Sequence, residues 1–215
     1  MTDTAERCRL VILISGRGSN MQAIVDTVRE NKLNAQICAV ISNKKDAAGL
    51  EWAQQRGIKT HVVEHKHYPD REAFDNDLAR VIDAYQPDYV LLAGFMRILT
   101  AGFVERYARR LINIHPSLLP LFPGLNTHQL AIDSGMQWHG CTVHFVTSVL
   151  DSGPILAQGV VPILAGDTAQ ALSERLLDKE HQVFSQVVRW LAEDRISLDD
   201  SNVVRVRDIA SRAFV

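Results

Sequence analysis

A chain of 215 residues has room for one well-buried α/β domain, which loses about 70% of its unfolded surface on folding, and is short for two. Its net charge of −2 leaves no positive excess to neutralise a polyphosphate backbone, so nucleic-acid binding lacks its usual electrostatic basis. Three scattered cysteines (Cys8, Cys38 and Cys141), a polar N-terminus and the lack of any apolar run of about 18 residues exclude a disulfide framework, a secretory leader and a membrane span, leaving a cytoplasmic protein as the expectation.

Leu10–Ile14 is a continuous apolar run, rich in β-branched residues and closed by Ser15-Gly16, which reads as a parallel strand buried on both faces. After the turn Gly16-Arg17-Gly18-Ser19-Asn20, residues Met21, Ile24, Val25 and Val28 recur at helical spacing until Asn31-Lys32. Strand-like stretches follow at 37–41, 59–63, 89–93 and 111–114, several of them separated by amphipathic segments of helical length such as 47–56 and 71–85. This alternation predicts an α/β fold with a doubly wound, mostly parallel sheet. From Gly140 the rhythm changes: 140–146 and 155–161 are strands joined by a loop too short for a crossover helix, so they pair antiparallel or bulge. Thr168 opens a long helix with Leu172, Leu176, Val183, Val187 and Leu191 near one face, closing around 192–194. The tail 193–215 carries no assignment beyond a short hairpin. No repeat, low-complexity tract or linker divides the chain, so one domain over 1–215 is expected, with its core at about 9–192.

Two groups of residues carry chemistry. The loop Gly16–Asn20, between a buried strand and a helix, can present backbone N–H groups and a helix N-terminus to a phosphate. A dinucleotide site would want a third glycine at Met21 and an acidic residue where the second strand ends in Ile41-Ser42-Asn43; neither is there, which favours a single phosphate. The plainer reading is a tight turn with Ser19 or Asn20 as an N-cap.

The second group is Asn113, His115 and Asp151, on loops just past apolar strands, where open α/β sheets build ligand sites. Asn113 can donate an N–H to an oxyanion, His115 can hold or pass a proton, and Asp151 can orient and charge that imidazole. Asn113 and His115 share strand parity and so point to one side, while Pro116, Pro120 and Pro123 stop the strand and stiffen the loop beyond it. Against this stands a structural role for both polar residues. Ser117 as a nucleophile lacks the Gly-x-Ser-x-Gly elbow. A metal centre is disfavoured as well, because His65, His67, His139, Cys141 and His144 match no compact zinc spacing, and alternation sets His144 beside Thr142 and opposite Cys141.

Six segments in order, SGRGSN at 15–20, AVISNK at 39–44, LAGFMRIL at 92–99, NIHPSLLP at 113–120, HGCTVHFV at 139–146 and DSGPI at 151–155, resemble the glycinamide ribonucleotide transformylases, a folate-dependent formyltransferase family. The likeness runs from about Leu10 to Trp190 and implies a Rossmann-like formyltransferase fold. It also implies formyl transfer from 10-formyltetrahydrofolate to the amine of glycinamide ribonucleotide in purine biosynthesis, with direct attack and no metal. By the same resemblance Gly18, Ser19 and Asn20 hold the substrate phosphate, with Pro116 and Glu180 also on the acceptor substrate. Asn113, His115 and Asp151 are implied as catalytic. Arg71, Met96, Arg97, Ile98 and Leu99 are implied at the folate, with main-chain contacts from Thr147, Val149 and Asp151. Met96, Ile98 and Leu99 suit an apolar slot for a pteridine and Arg71 suits a carboxylate tail. On their own terms Met96–Leu99 read equally as core, and Arg71 and Glu180 as solvated helix residues. Two departures stand out: Asn126, where many relatives carry His or a small residue, and Arg17, which adds a charge beside the phosphate loop. Formyltetrahydrofolate hydrolases and methionyl-tRNA formyltransferases share the NIHPS-type run and stay as rivals, as does a non-catalytic phosphate-ligand module; the oligomeric state, a homodimer included, is left open.

Overall fold

The computed structural model describes residues 7–199 and 201–215. Ten strands and six α-helices alternate in chain order: β1 (Cys8–Ile14), α1 (Ser19–Glu30), β2 (Ala35–Ser42), α2 (Ala48–Gln55), β3 (Thr60–Val62), α3 (Arg71–Asp83), β4 (Tyr89–Leu92), α4 (Ala101–Arg106), β5 (Leu111–His115), α5 (Thr127–Asp133), β6 (Trp138–Phe145), β7 (Ile155–Pro162), α6 (Ala169–Ala192), β8 (Ile196–Leu198), β9 (Val204–Val206) and β10 (Ala213–Phe214). Eight of the strands form one sheet in the order β10-β7-β6-β5-β4-β1-β2-β3, and β8 pairs with β9 apart from it. The five strands β3, β2, β1, β4 and β5 are parallel; β6 runs antiparallel to both β5 and β7. The late antiparallel pair and the long helix fall where the sequence places them.

Strand β1 shows why the sheet is doubly wound. Leu10, Ile12 and Ile14 pack with Met21, Ile24 and Val25 of α1, Leu50 of α2 and Leu172, Leu176, Val183 and Val187 of α6. Val11 and Leu13 face the other way, onto Phe74, Leu78 and Ile82 of α3 and Phe103 of α4. Each such fully buried side chain stabilises the fold by roughly 1.5–3 kcal/mol relative to exposure. Helix ends are fixed locally. The Asp70 carboxylate caps α3 by accepting from the Ala73 N–H at 2.8 Å, and Thr168 Oγ1 caps α6 by accepting from Ala171 at 3.1 Å.

The tail is more ordered than its weak pattern suggests. Strands β8 and β9 pair as the expected hairpin, and β10 adds a parallel strand to the edge of β7, where the Gln158 N–H donates to the Arg212 carbonyl at 3.0 Å and Phe214 lies beside Trp190. A two-residue strand has no periodicity to read, so only its docking reveals it. At Gln158 and Gly159 it covers the middle of an otherwise open sheet edge. No helix among the described residues is long and apolar enough to cross a membrane.

Strand order reverses at β1 and β4, the point where open α/β sheets place ligands beyond the carboxyl ends of their strands. The loops after β1, β4 and β5 all emerge at that end.

Candidate active site

Strand β5 presents Ile112 and Ile114 to one core and turns Asn113 and His115 to the opposite face, as their parity requires. His115 is buried, and both of its ring nitrogens face oxygen. Nε2 donates to the Phe122 carbonyl at 2.9 Å, and Nδ1 lies 3.5 Å from Asp151 Oδ2. Asp151 stands 36 positions later in a loop between β6 and β7, with a left-handed φ of +48°. Its Oδ2 also accepts from the Gly124 N–H at 2.9 Å. One backbone segment therefore touches both side chains, using turns at Phe122 (φ +52°) and Gly124 (φ +83°).

That segment is anchored below by Thr142, whose hydroxyl donates to the Ser117 carbonyl at 2.7 Å and accepts from the Leu119 N–H at 3.0 Å. Ser117 is fully buried and its Oγ donates to the Leu121 carbonyl at 2.6 Å, a structural tie rather than a nucleophile's setting.

Asn113 reaches the group through His144, for which sequence reasoning found no role. His144 pairs across from Asn113 in the β5–β6 ladder; its Nδ1 donates to the Phe145 carbonyl at 3.0 Å, so Nε2 carries the lone pair. Asn113 Nδ2 sits 3.4 Å from that lone pair, and one amide hydrogen stays available to a ligand. Burial lowers the His144 pKa and outweighs the opposing attraction of Asp151, whose Oδ1 is 3.9 Å away. The register of the antiparallel pair is the signal that could have found it. Among the described residues no three His, Cys, Asp or Glu side chains gather as ligands of a metal ion would.

His139 lies apart from His144, fully buried against His128 with ring centroids 5.0 Å apart, and its Nε2 has no partner among the described atoms. Burial, with His128 beside it, pushes its pKa down to about 4. Because the folded value lies below that of a free imidazole, about 6.5, the unfolded chain binds more protons in between, and stability intact above pH 6.5 is lost as pH falls toward 4, by up to about 3 kcal/mol. The melting temperature is expected to drop across that window and to drop less in His139→Gln; an equal slope in both proteins would refute a contribution from His139.

At the β1 end, Gly18 is the N-cap of α1 with φ +71°, and no side chain caps the first turn, which leaves its N–H groups free. Glycine takes that φ at no steric cost, and a Cβ here would also come within 3.0 Å of Met21 Cε. Asn20 Nδ2 donates to Glu180 Oε2 of α6 at 2.8 Å, while Asn20 Oδ1 is buried without a partner. Burial raises the Glu180 pKa, opposed by the Asn20 hydrogen bond. Two residues that are 160 positions apart thus meet beside the anion loop.

On the loop after β4, Met96 and Ile98 are 67% and 59% exposed, and on the loop bearing Asp151, Val149 and Leu150 are 63% and 55% exposed. The Asp151 loop leaves the opposite end of β6 and folds back to His115, and apolar side chains bared on it and on the loop after β4 suit a flat apolar ligand. Leu99 is half-buried against the α3–α4 core, Arg97 lies over the Phe74 ring, and Thr147 Oγ1 donates to the Val149 carbonyl at 3.1 Å. Arg71 stands exposed at the start of α3, away from the Asn113–His115–Asp151 group in hydrogen bonding. Pro116 follows His115 directly, and its backbone bonds with His139. Asn126 has φ +61° before α5, a left-handed conformation that asparagine tolerates. Arg17 is exposed.

The sequence profile of the formyl transferase family matches residues 8–188. The phosphoribosylglycinamide formyltransferase of Escherichia coli (strain K12) is 49% identical over 192 residues, covering 89% of this chain and 91% of that protein. The structure of a phosphoribosylglycinamide formyltransferase from Coxiella burnetii superposes with a TM-score of 0.90 at 42% identity, covering 98% and 100% of the two chains. A formyltetrahydrofolate deformylase from Pseudomonas syringae pv. tomato superposes with a TM-score of 0.88 at 31% identity, covering 96% of this chain and 68% of the other. Matched along most of its length in sequence and in backbone course, the chain belongs to the formyl transferase family.

Proposed function

We propose that this protein transfers the formyl group of 10-formyltetrahydrofolate to the amine of glycinamide ribonucleotide, a step of purine biosynthesis. The observation that carries the reading is the His115–Asp151 pair at the carboxyl end of β5, joined to Asn113 through His144, with the uncapped N-terminus of α1 at the same end of the parallel strands. The folate supplies an electrophilic formyl carbon. The bared side chains of Met96, Ile98, Val149 and Leu150 fit its apolar ring, and the main chain of 96–99 and 147–151 is at hand for its polar edge. Arg71 would meet its carboxylate tail, and Arg97 and Leu99 would line the approach.

Gly18, Ser19 and Asn20 would hold the substrate phosphate on free N–H groups. Pro116 and Glu180 would flank the acceptor, with Asn20 Oδ1 receiving a ligand donor in place of its missing partner. As the neutral amine adds to the carbonyl, the free hydrogen of Asn113 Nδ2 and the Nε2–H of His115 donate to the oxygen that gains charge. His115 exchanges the Phe122 carbonyl for that oxygen and stays satisfied. Asp151, across Nδ1, stabilises the charged ring and receives, through a water, the proton that the amine gives up; the oxyanion then re-forms the carbonyl as the bond from the formyl carbon to folate N10 breaks, and that proton passes to N10 to release tetrahydrofolate.

One assay tests this. Protein, 10-formyltetrahydrofolate and glycinamide ribonucleotide together are expected to yield tetrahydrofolate and formylated product in equal amounts, with no tetrahydrofolate when the acceptor is left out. Release without acceptor would instead assign a deformylase.

A further inference from the structure

The segment AVISNK at 39–44 has no role in the formyl transfer itself, yet its Asn43 is 2% exposed and sits at the centre of a polar network. Asn43 Oδ1 accepts from Ser15 Oγ at 2.6 Å. Ser15, 5% exposed at the end of β1, uses the same oxygen to accept from the Met96 N–H at 2.8 Å, and its own N–H donates to the Gly94 carbonyl at 3.1 Å. On its other side the main-chain carbonyl of Asn43 faces His65 Nδ1 at 3.0 Å, and Nδ2 faces the same nitrogen at 3.2 Å. His65 rests edge-on against Phe74, whose ring lies under the Arg97 guanidinium.

The connections close on themselves. Met96 is held by its backbone through Ser15 and Asn43, and Arg97 by its side chain through Phe74 and His65. A strand-end asparagine that merely satisfied its own neighbours would not need a hydroxyl to relay it to a loop 53 positions away, after β4. A hydroxyl has one hydrogen, and here Asn43 Oδ1 fixes where it points, which turns the Ser15 lone pair toward Met96.

We propose that Asn43 is a positioning residue for the folate: acting through Ser15, it sets the main chain of 96–99 at the height from which that chain can read a pteridine edge. The inference rests on the reading that 96–99 contacts folate. Asn43 touches neither substrate. Its loss frees the Ser15 hydroxyl to rotate and leaves the Met96 N–H without a fixed acceptor, so the loop must be ordered anew at each binding event. The Gly16–Asn20 loop has its own ties, the Gly49 N–H on the Gly16 carbonyl at 3.1 Å and Asn20 on Glu180 at 2.8 Å, so acceptor binding stays as it was.

Steady-state kinetics with each substrate varied in turn, on Asn43→Ala, Ser15→Ala and the double variant, test the proposal. Each single change is expected to raise KM for 10-formyltetrahydrofolate about tenfold, with KM for glycinamide ribonucleotide and kcat within about threefold. The double variant is expected to be no worse than the worse single one, because both break one relay. Ser15→Ala removes a single oxygen and decides the matter alone if Asn43→Ala does not fold. Ile98→Asp separates the two readings. If it leaves the folate KM unchanged, folate does not lie on 96–99 and the underlying reading fails. If it raises that KM while Ser15→Ala does not, or if the two substrates' KM values rise together in Ser15→Ala, positioning by Asn43 is overturned.

Discussion

Asp151→Asn is expected to lower kcat by about 10²–10⁴-fold, the range over which a placed acid–base group acts, while KM for the folate stays within about threefold. The substitution is nearly isosteric. An amide oxygen can still accept from the Gly124 N–H, so the segment that covers the site keeps its tie. What disappears is the negative charge 3.5 Å from His115 Nδ1, in a setting where both side chains are almost fully buried and screening is weak. Without it the charged imidazole loses its stabilising partner, and the proton leaving the amine loses its destination. Unaltered turnover across pH would remove Asp151 from the mechanism, whatever its distance from His115.

Gly153→Ala is expected to be nearly as damaging for a different reason. A Cβ at this position would lie 1.7 Å from the Phe145 carbonyl oxygen and 2.8 Å from its carbon, and backbone cannot retreat as a flexible side chain can. Either β6 and β7 separate where Phe145 N–H donates to the Pro154 carbonyl, or the loop that carries Asp151, two residues upstream, is displaced. Overpacking of this kind costs about 3 kcal/mol or more, which for a chain of this length lowers the melting temperature by roughly 6–12 °C. Turnover should fall with it, since a shift of about 1 Å at a catalytic group costs on the order of 10²-fold. A variant that melts within about 2 °C of the parent and turns over within about twofold would show that the close approach is not kept in solution.

Parts of this site were legible because their causes are local. The apolar run Leu10–Ile14 announces a strand buried on two faces, and β1 does feed both cores. Parity places Asn113 and His115 on one side of β5, and the glycine loop predicts the helix N-terminus behind it, though Gly18 rather than Ser19 or Asn20 stands at the cap. Other parts left no local trace. Alternation sets His144 beside Thr142, but nothing near it in the chain says that it faces Asn113. The same holds for Ser15, Asn43 and Met96, which lie on three separate β-α units, and for β10, too short to show a pattern.

The sequence by itself determined the alternation of strands and helices, the chemical types available at the carboxyl ends and, by resemblance, the family. It could do so because side-chain periodicity and turn chemistry act over a few residues. Only the tertiary structure decided that Asp151 meets His115, that Asn20 meets Glu180 and that the Phe122 carbonyl covers the imidazole. Those meetings depend on strand order and on the register of an antiparallel pair, which are set by burial summed over the whole sheet and leave no mark at any one position.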